Sequence, residues 1–279
     1  MSKLIVFACF WNEKEWIDLS LKQLKKLNPD EAILCDGCFD MDKPKHSTDG
    51  TYQRIKQEVR QNENYKLVDP IRVSFLKYPQ TLLKILSNDE HFNKFIYPYW
   101  YILLSLYQYS NYRVNQALTF NYMATVSGLW KVGNWVTTYD CDQFYSDNMI
   151  ENFNNIDKYE EYNLLTANEL TFFESFSRYT EDYEHRKRSN MPHRILEDTF
   201  FIPTRRIVFF EGLKKKIYEE NTNSYHLGNY FHYKFDRSGR LAEAYELGDR
   251  QYEKPNFNEY KFKEIQKEEH PTIIREEIS

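Results

Sequence analysis

Glycine is scarce in this chain, at 8 of 279 residues. No Gly-rich phosphate loop of the Walker or dinucleotide type is present, and no Gly-flanked Ser suggests a nucleophile elbow. P-loop NTPases, dehydrogenases and α/β-hydrolases therefore lose ground. Long apolar runs are also missing. The longest stretches, around residues 4–10 and 99–106, fall well short of the roughly 20 residues that cross a bilayer, and Met1 opens directly into a strand-like run. The reading expects no signal peptide and no membrane span. The four cysteines, at 9, 35, 38 and 141, lie in or beside strand-like runs rather than in the spaced loops of a disulfide scaffold, which fits a reduced, cytoplasmic protein. Cys35 and Cys38 form a CxxC, but a thioredoxin-type pair should open a helix, and residues 39–46 look like loop. No Gly/Ser/Pro linker divides the chain, so one domain over 1–250 is expected, followed by a charged tail or surface helix over 251–279.

What is plentiful is aromatic: 23 Tyr and 20 Phe, with 41% hydrophobic residues overall, enough apolar surface for a packed core. The net charge of −5 argues against a protein that coats nucleic acid by charge alone. One basic patch stands out, Arg186, Lys187, Arg188 and Arg194 with His185 and His193; a solvated loop is its simpler explanation.

Residues 4–10 form a continuous apolar run, expected of a strand buried on both faces of a mainly parallel sheet. An amphipathic helix over about 15–27, ended by Asn28-Pro29, and a short buried strand at 32–35 complete a βαβ unit. Such a unit places ligands at the C-terminal ends of its strands, where Asn12, Glu13, Asp36 and Gly37 fall. Ser47-Thr-Asp-Gly-Thr51 has side-chain oxygens suited to capping a helix running to about Arg60, with a third strand near 66–68. The aromatic-rich 75–109 segment reads as helical packing surface, although rings beside a sugar site can also stack on pyranose faces. A helix over 113–127, broken by Gly128, precedes a strand at 135–139. Further strands are expected at 164–167, 207–210 and 230–235.

Two DxD triplets occur, Asp40-Met41-Asp42 and Asp140-Cys141-Asp142, and chance alone yields about one in a chain with 16 Asp. Only the second directly follows an apolar strand. Two carboxylates alternating on extended backbone at a sheet edge can bind a hard divalent cation such as Mn²⁺ or Mg²⁺. The competing reading is an Asx-type strand ending that caps the next helix.

The order of these pieces resembles the family-2-like glycosyltransferases of GT-A fold: Leu4-Ile-Val-Phe with Asn12-Glu13, then Asp36-Gly37 and Ser47-Thr-Asp-Gly-Thr51, then Arg113 through Ala117, then Gly133-Asn-Trp-Val-Thr-Thr-Tyr-Asp-Cys-Asp142. The resemblance covers residues 3 to 150. It implies an α/β GT-A sheet flanked by helices, with a C-terminal extension, acting on a nucleotide-sugar donor. It implies that Asn12, Glu13, Asp36, Arg113 and Asp140 border the donor, and that Asp140 with Asp142 positions ribose and metal. Two departures are the nine residues 38–46 between Asp36-Gly37 and Ser47, and Gln143 where many relatives carry Glu. Relatives often place the base that takes the acceptor proton in a Glu-Asp pair beyond the DxD. Glu197-Asp198 is the best match, Asp198 foremost, unless the pair simply faces solvent. They also often return a late His to the metal; His232 is the first candidate and His226 the second, while a lone His among aromatics is more often core. Lys234, Arg237 or Arg240 could hold the diphosphate. A saccharide acceptor comes first, a hydroxylated DNA base second. The rivals are a noncatalytic nucleotide- or sugar-binding module and a nucleotidyltransferase.

Overall fold

The computed structural model describes residues 1–87, 102–173, 175–181, 191–212, 214–233 and 260–278. The chain begins with β1 (Leu4–Phe10), α1 (Ile17–Leu27), β2 (Glu31–Asp36), α2 (Thr51–Gln61) and β3 (Tyr65–Val68). It continues through α3 (Tyr78–Ser87), α4 (Asn111–Val126), β4 (Trp135–Tyr139), β5 (Gln143–Tyr145), α5 (Asp147–Asn154) and β6 (Leu164–Phe172). Then follow the short strands β7 (Arg178–Tyr179), β8 (His193–Arg194) and β9 (Phe200–Phe201), then β10 (Ile207–Glu211) and β11 (Lys214–Ile217). The last elements are α6 (Tyr218–Asn221), β12 (Ser224–Tyr233), β13 (Lys263–Glu264) and α7 (Thr272–Arg275).

Eight strands form one mixed, mainly parallel sheet in the order β3-β2-β1-β4-β8-β6-β12-β5. Pairings β1–β2, β1–β4, β2–β3 and β6–β12 are parallel, whereas β8 and β5 run against their neighbours. The continuous apolar run of β1 has the expected cause. Leu4, Val6, Ala8 and Phe10 enter one hydrophobic cluster, and Ile5 and Phe7 enter the other, because successive side chains of a strand leave opposite faces. Helices cover both faces, as an α/β sheet requires. A small second sheet, β11-β10-β9, stands beside α4. There Asn121 acts as a strand edge: its amide accepts from Phe201 N at 3.0 Å and donates to Phe201 O at 2.8 Å.

Several boundaries differ from expectation for identifiable reasons. α2 starts at Gly50 with φ of 102° and no side-chain cap; of the expected capping oxygens, only Asp49 reaches a first-turn amide, Thr51 N at 3.0 Å. α4 is capped by Ser110 and ends at Val126, so Ser127 and not Gly128 closes it. The described residues of the 75–109 segment are only partly core. Tyr78, Leu82, Ile85, Ile102 and Leu106 are buried, whereas Phe75, Leu76, Leu83, Leu104 and Tyr107 face outward. β12 begins at Ser224, six residues before the expected start, because its polar first turn carries no apolar alternation.

The described part of the expected tail is packed against the domain. β13 pairs with β7, Ile273 and Ile274 are buried with Trp16, and His270 bridges the Tyr233 hydroxyl at 2.7 Å and Phe176 O at 2.9 Å. Among the described residues no helix is long and apolar enough to cross a membrane.

Candidate active site at the C-terminal edge of the sheet

Since β1, β2, β4, β6 and β12 all run the same way, the ends of these strands deliver their last residues to one edge. At β1 the chain turns through Asn12, at φ 54°. The Ser47–Thr51 loop binds this turn. Asn12 N donates to Ser47 Oγ at 2.8 Å, Thr48 N to Asn12 Oδ1 at 3.0 Å, Glu13 N to Thr51 Oγ1 at 2.9 Å and Lys14 N to Asp49 Oδ2 at 2.9 Å. The hydroxyls that read as helix caps therefore shape the loop after β1, and Asn12 and Glu13 remain half-buried at the edge.

Asp36, at the end of β2, is fully buried. Its carboxylate accepts from Ser47 N at 3.0 Å, from the Ser47 hydroxyl and from His46 Nδ1 at 3.2 Å. Burial pushes its pKa up, and these hydrogen bonds only partly oppose the rise. His46 stacks on Tyr52 at 4.0 Å. The inserted 38–46 loop is held by Arg72, which donates to Asp40 O at 2.5 Å and Lys43 O at 2.6 Å, and by Asn115 on Phe39 O at 3.2 Å. The first DxD lies in this loop, closed locally by Asp42 N on Asp40 Oδ1 at 3.0 Å. Arg113, half-buried in the first turn of α4, donates to Gln116 at 3.1 Å and lies over Tyr112.

The second DxD follows β4. Gln23 of α1 braces the turn from below, donating to Tyr139 OH at 2.8 Å and Gln143 O at 2.9 Å and accepting from Tyr145 N at 2.7 Å. The next helix, α5, is capped by Ser146, so capping is not what Asp140 and Asp142 do here. Asp140 accepts from Arg205 Nη2 at 2.5 Å and from Gln143 Nε2 at 3.1 Å. Burial works against the Arg205 charge, and the adjoining Asp140 carboxylate outweighs it, leaving the guanidinium pKa raised.

Asp142 faces His232: Oδ2 lies 3.3 Å from Nε2. The antiparallel pairing of His232 with Gln143 brings β12 to this turn. On its other side His232 Nδ1 meets Glu169 Oε1 at 2.7 Å. Glu169 is buried and also accepts from Thr171 Oγ1 at 2.8 Å and Tyr230 OH at 2.5 Å. Tyr230 and His232 share a strand face by their two-residue spacing, and parallel pairing sets Tyr230 beside Glu169 and His232 beside Thr171. His226, six residues back and thus about 20 Å along the strand, is exposed and contacts Thr166 and Asn168. Of the two histidines it is His232 that reaches the DxD.

Asp142 and His232 are the described side chains that could contribute ligands to a divalent cation. A neutral His232 that gives Nδ1–H to Glu169 would turn the Nε2 lone pair on the Asp142 carboxylate, and two acceptors 3.3 Å apart need a proton or a cation between them. Two cis ligands each about 2.1 Å from an octahedral ion stand about 3 Å apart. No group of three or more His, Cys, Asp and Glu among the described residues is arranged to hold a metal; ligand oxygens and water would complete the shell.

Glu197 is exposed and Asp198 half-buried. Asp198 has φ of 54°, in the turn that enters β9, closed by Thr199 Oγ1 on Leu196 O at 2.9 Å. Lys234, Arg237, Arg240 and most of the basic patch, 185–190, lie outside the described residues. The patch members that are described are committed elsewhere. Arg194 donates to Glu160 O, and His193 is buried, donating to Met191 O at 2.7 Å, its pKa lowered to about 4 by burial. The unfolded chain then takes up a proton at His193 below its ordinary value near 6.5, whereas the folded chain waits until about 4. Stability should fall as pH drops through that window, by up to about 3 kcal/mol, and His193→Gln should remove this part of the slope in urea titrations.

Glu169, Arg205 and Gln23 were not apparent from the sequence. Glu169 had a faint signal, a single acid inside an apolar strand; Arg205 and Gln23 had none.

No protein-family model matches the sequence, and no curated protein does. Among solved structures the chain is similar to S. aureus TarS 1-349, with TM-score 0.39 and 15% identity over 72% of this chain and 50% of that one. It is also similar to S. aureus TarS, with TM-score 0.41 and 16% identity over 88% of this chain and 38% of that one. The chain thus spans half or less of the length of both.

Proposed function

We propose that the chain is a metal-dependent glycosyltransferase that moves a sugar from a nucleotide-sugar donor to a saccharide hydroxyl with inversion. The observation that carries this reading is the Asp142–His232–Glu169 relay, with a carboxylate oxygen and an imidazole nitrogen 3.3 Å apart at the sheet edge. Asp142 and His232 would hold Mn²⁺ or Mg²⁺, whose role when bound is to neutralise charge on the departing diphosphate. Glu169 keeps His232 in the tautomer that presents Nε2. Asn12, Glu13, Asp36, Arg113 and Asp140 border the donor, Asp36 acting through the Ser47 loop it anchors.

Asp198 is the base, with Glu197 beside it. It takes the acceptor hydroxyl proton as the acceptor oxygen bonds to the anomeric carbon and the carbon–oxygen bond to the diphosphate breaks. Its half-buried place in the turn that enters β9, the strand leading to the Arg205 hairpin that meets Asp140, supports the assignment.

Thermal unfolding with UDP-, GDP-, CMP- and dTDP-sugars, with and without Mn²⁺, tests the reading. A ligand at 100 times its dissociation constant adds about 2.7 kcal/mol to the folded state. One nucleotide class should raise the melting temperature by several degrees, and only with the metal. No shift with any donor would overturn the proposal.

A further inference from the structure

We propose that Arg205 is a built-in substitute for the cation, which occupies Asp140 until a diphosphate arrives and so makes metal binding depend on the donor. This rests on the reading of Asp142 and His232 as the metal site, with Asp140 beside them at the donor diphosphate.

Both Asp140 oxygens are engaged from within the protein, Oδ1 by the Arg205 guanidinium and Oδ2 by the Gln143 amide. An arginine stays charged at every relevant pH, so an ion approaching Asp140 must displace a permanent positive charge. Without a diphosphate that displacement strands the guanidinium. Its Nε is buried and has no hydrogen-bond partner among the described residues, so the group has donor capacity that Asp140 does not use. A diphosphate supplies acceptors for it, in the forked geometry that arginine favours.

The backbone fixes where the Arg205 side chain is aimed. Arg205 sits at the tip of the β9–β10 turn with φ of 60°, a conformation costly for a long side chain. Backbone bonds Arg205 N to Ile202 O and Ile202 N to Arg206 O, both 3.0 Å, hold it there. The exchange is balanced in charge: the Asp140–Arg205 pair opens, Asp140 turns to the cation, and the guanidinium passes to the diphosphate. Arg205 is thus a positioning residue that couples two ligands, and such coupling is reciprocal.

The test measures Mn²⁺ binding to the full chain by electron paramagnetic resonance, first alone and then with UDP, GDP or CDP. Arg205→Gly removes the charge and relieves the backbone; Arg205→Gln, which keeps an Asp140 donor without the charge, carries the test if the glycine variant unfolds. Wild type should bind Mn²⁺ weakly alone and at least tenfold more tightly with one of the diphosphates. The neutral variants should bind Mn²⁺ alone about tenfold more tightly than wild type and lose most of the enhancement by diphosphate. Unchanged Mn²⁺ affinity in both variants, with the enhancement intact, would overturn the substitute role while leaving the metal site standing. Failure of wild type to bind Mn²⁺ with any diphosphate would overturn the metal reading and this inference together.

Discussion

Asp142→Ala is expected to abolish divalent-dependent sugar transfer, a loss of at least about 10³-fold in turnover, with little change in fold. The side chain is 23% exposed and faces His232 across the gap proposed for the cation, so its removal takes away one of the protein ligands proposed for it. Metal stabilisation of a departing diphosphate contributes several kcal/mol to the barrier, and each 1.36 kcal/mol is tenfold in rate. Asp42→Ala, in the first DxD, is the matched control. Asp42 is exposed, in a loop that Arg72 holds through the Asp40 and Lys43 carbonyls, and the substitution should leave turnover and Mn²⁺ binding unchanged. Retained metal-dependent turnover in the Asp142 variant would sink the assignment.

What was legible in the sequence was what neighbouring residues decide. β1, β2 and β4 announce themselves because strands buried on both faces are rich in apolar and β-branched residues, and the second DxD directly follows one of them. Interactions over long separations leave no such mark. The Ser47–Thr51 oxygens look like helix caps at close range, yet their principal partners are amides 35 to 38 residues away. Strands as short as β8 and β9, two residues each, cannot display a period, so the hairpin that brings Arg205 to Asp140 was invisible. Glu169 was overlooked because the expected strand stopped at Ala167, whereas parallel pairing with β12 carries β6 on to Phe172. Residues 260–278 look charged and aperiodic because β13 holds to β7 through its backbone and the buried side chains Ile273, Ile274 and His270 do not repeat.

Glu169 separates the structural and chemical sides of the site. Glu169→Ala takes the acceptor from three buried or adjoining donors at once, Tyr230 OH, Thr171 Oγ1 and His232 Nδ1. An orphaned buried donor costs about 1–3 kcal/mol, and breaking a buried charged network costs 3–5 kcal/mol, so a loss of about 3–5 kcal/mol is expected in urea denaturation. Glu169→Gln keeps the volume and one carbonyl acceptor, and should cost markedly less stability. The carbonyl can still accept from His232 Nδ1 in the Oε1 position, but without the carboxylate charge behind the ring Nε2 is a weaker ligand, and Mn²⁺ affinity should fall about 10- to 100-fold. The two readouts therefore part in the glutamine variant: a nearly normal unfolding midpoint with weakened metal binding marks Glu169 as the carboxylate that makes His232 a strong ligand. Weakened stability with wild-type Mn²⁺ affinity would instead make it a bolt between β6 and β12, and His232 would then have to be oriented by the strand pairing alone.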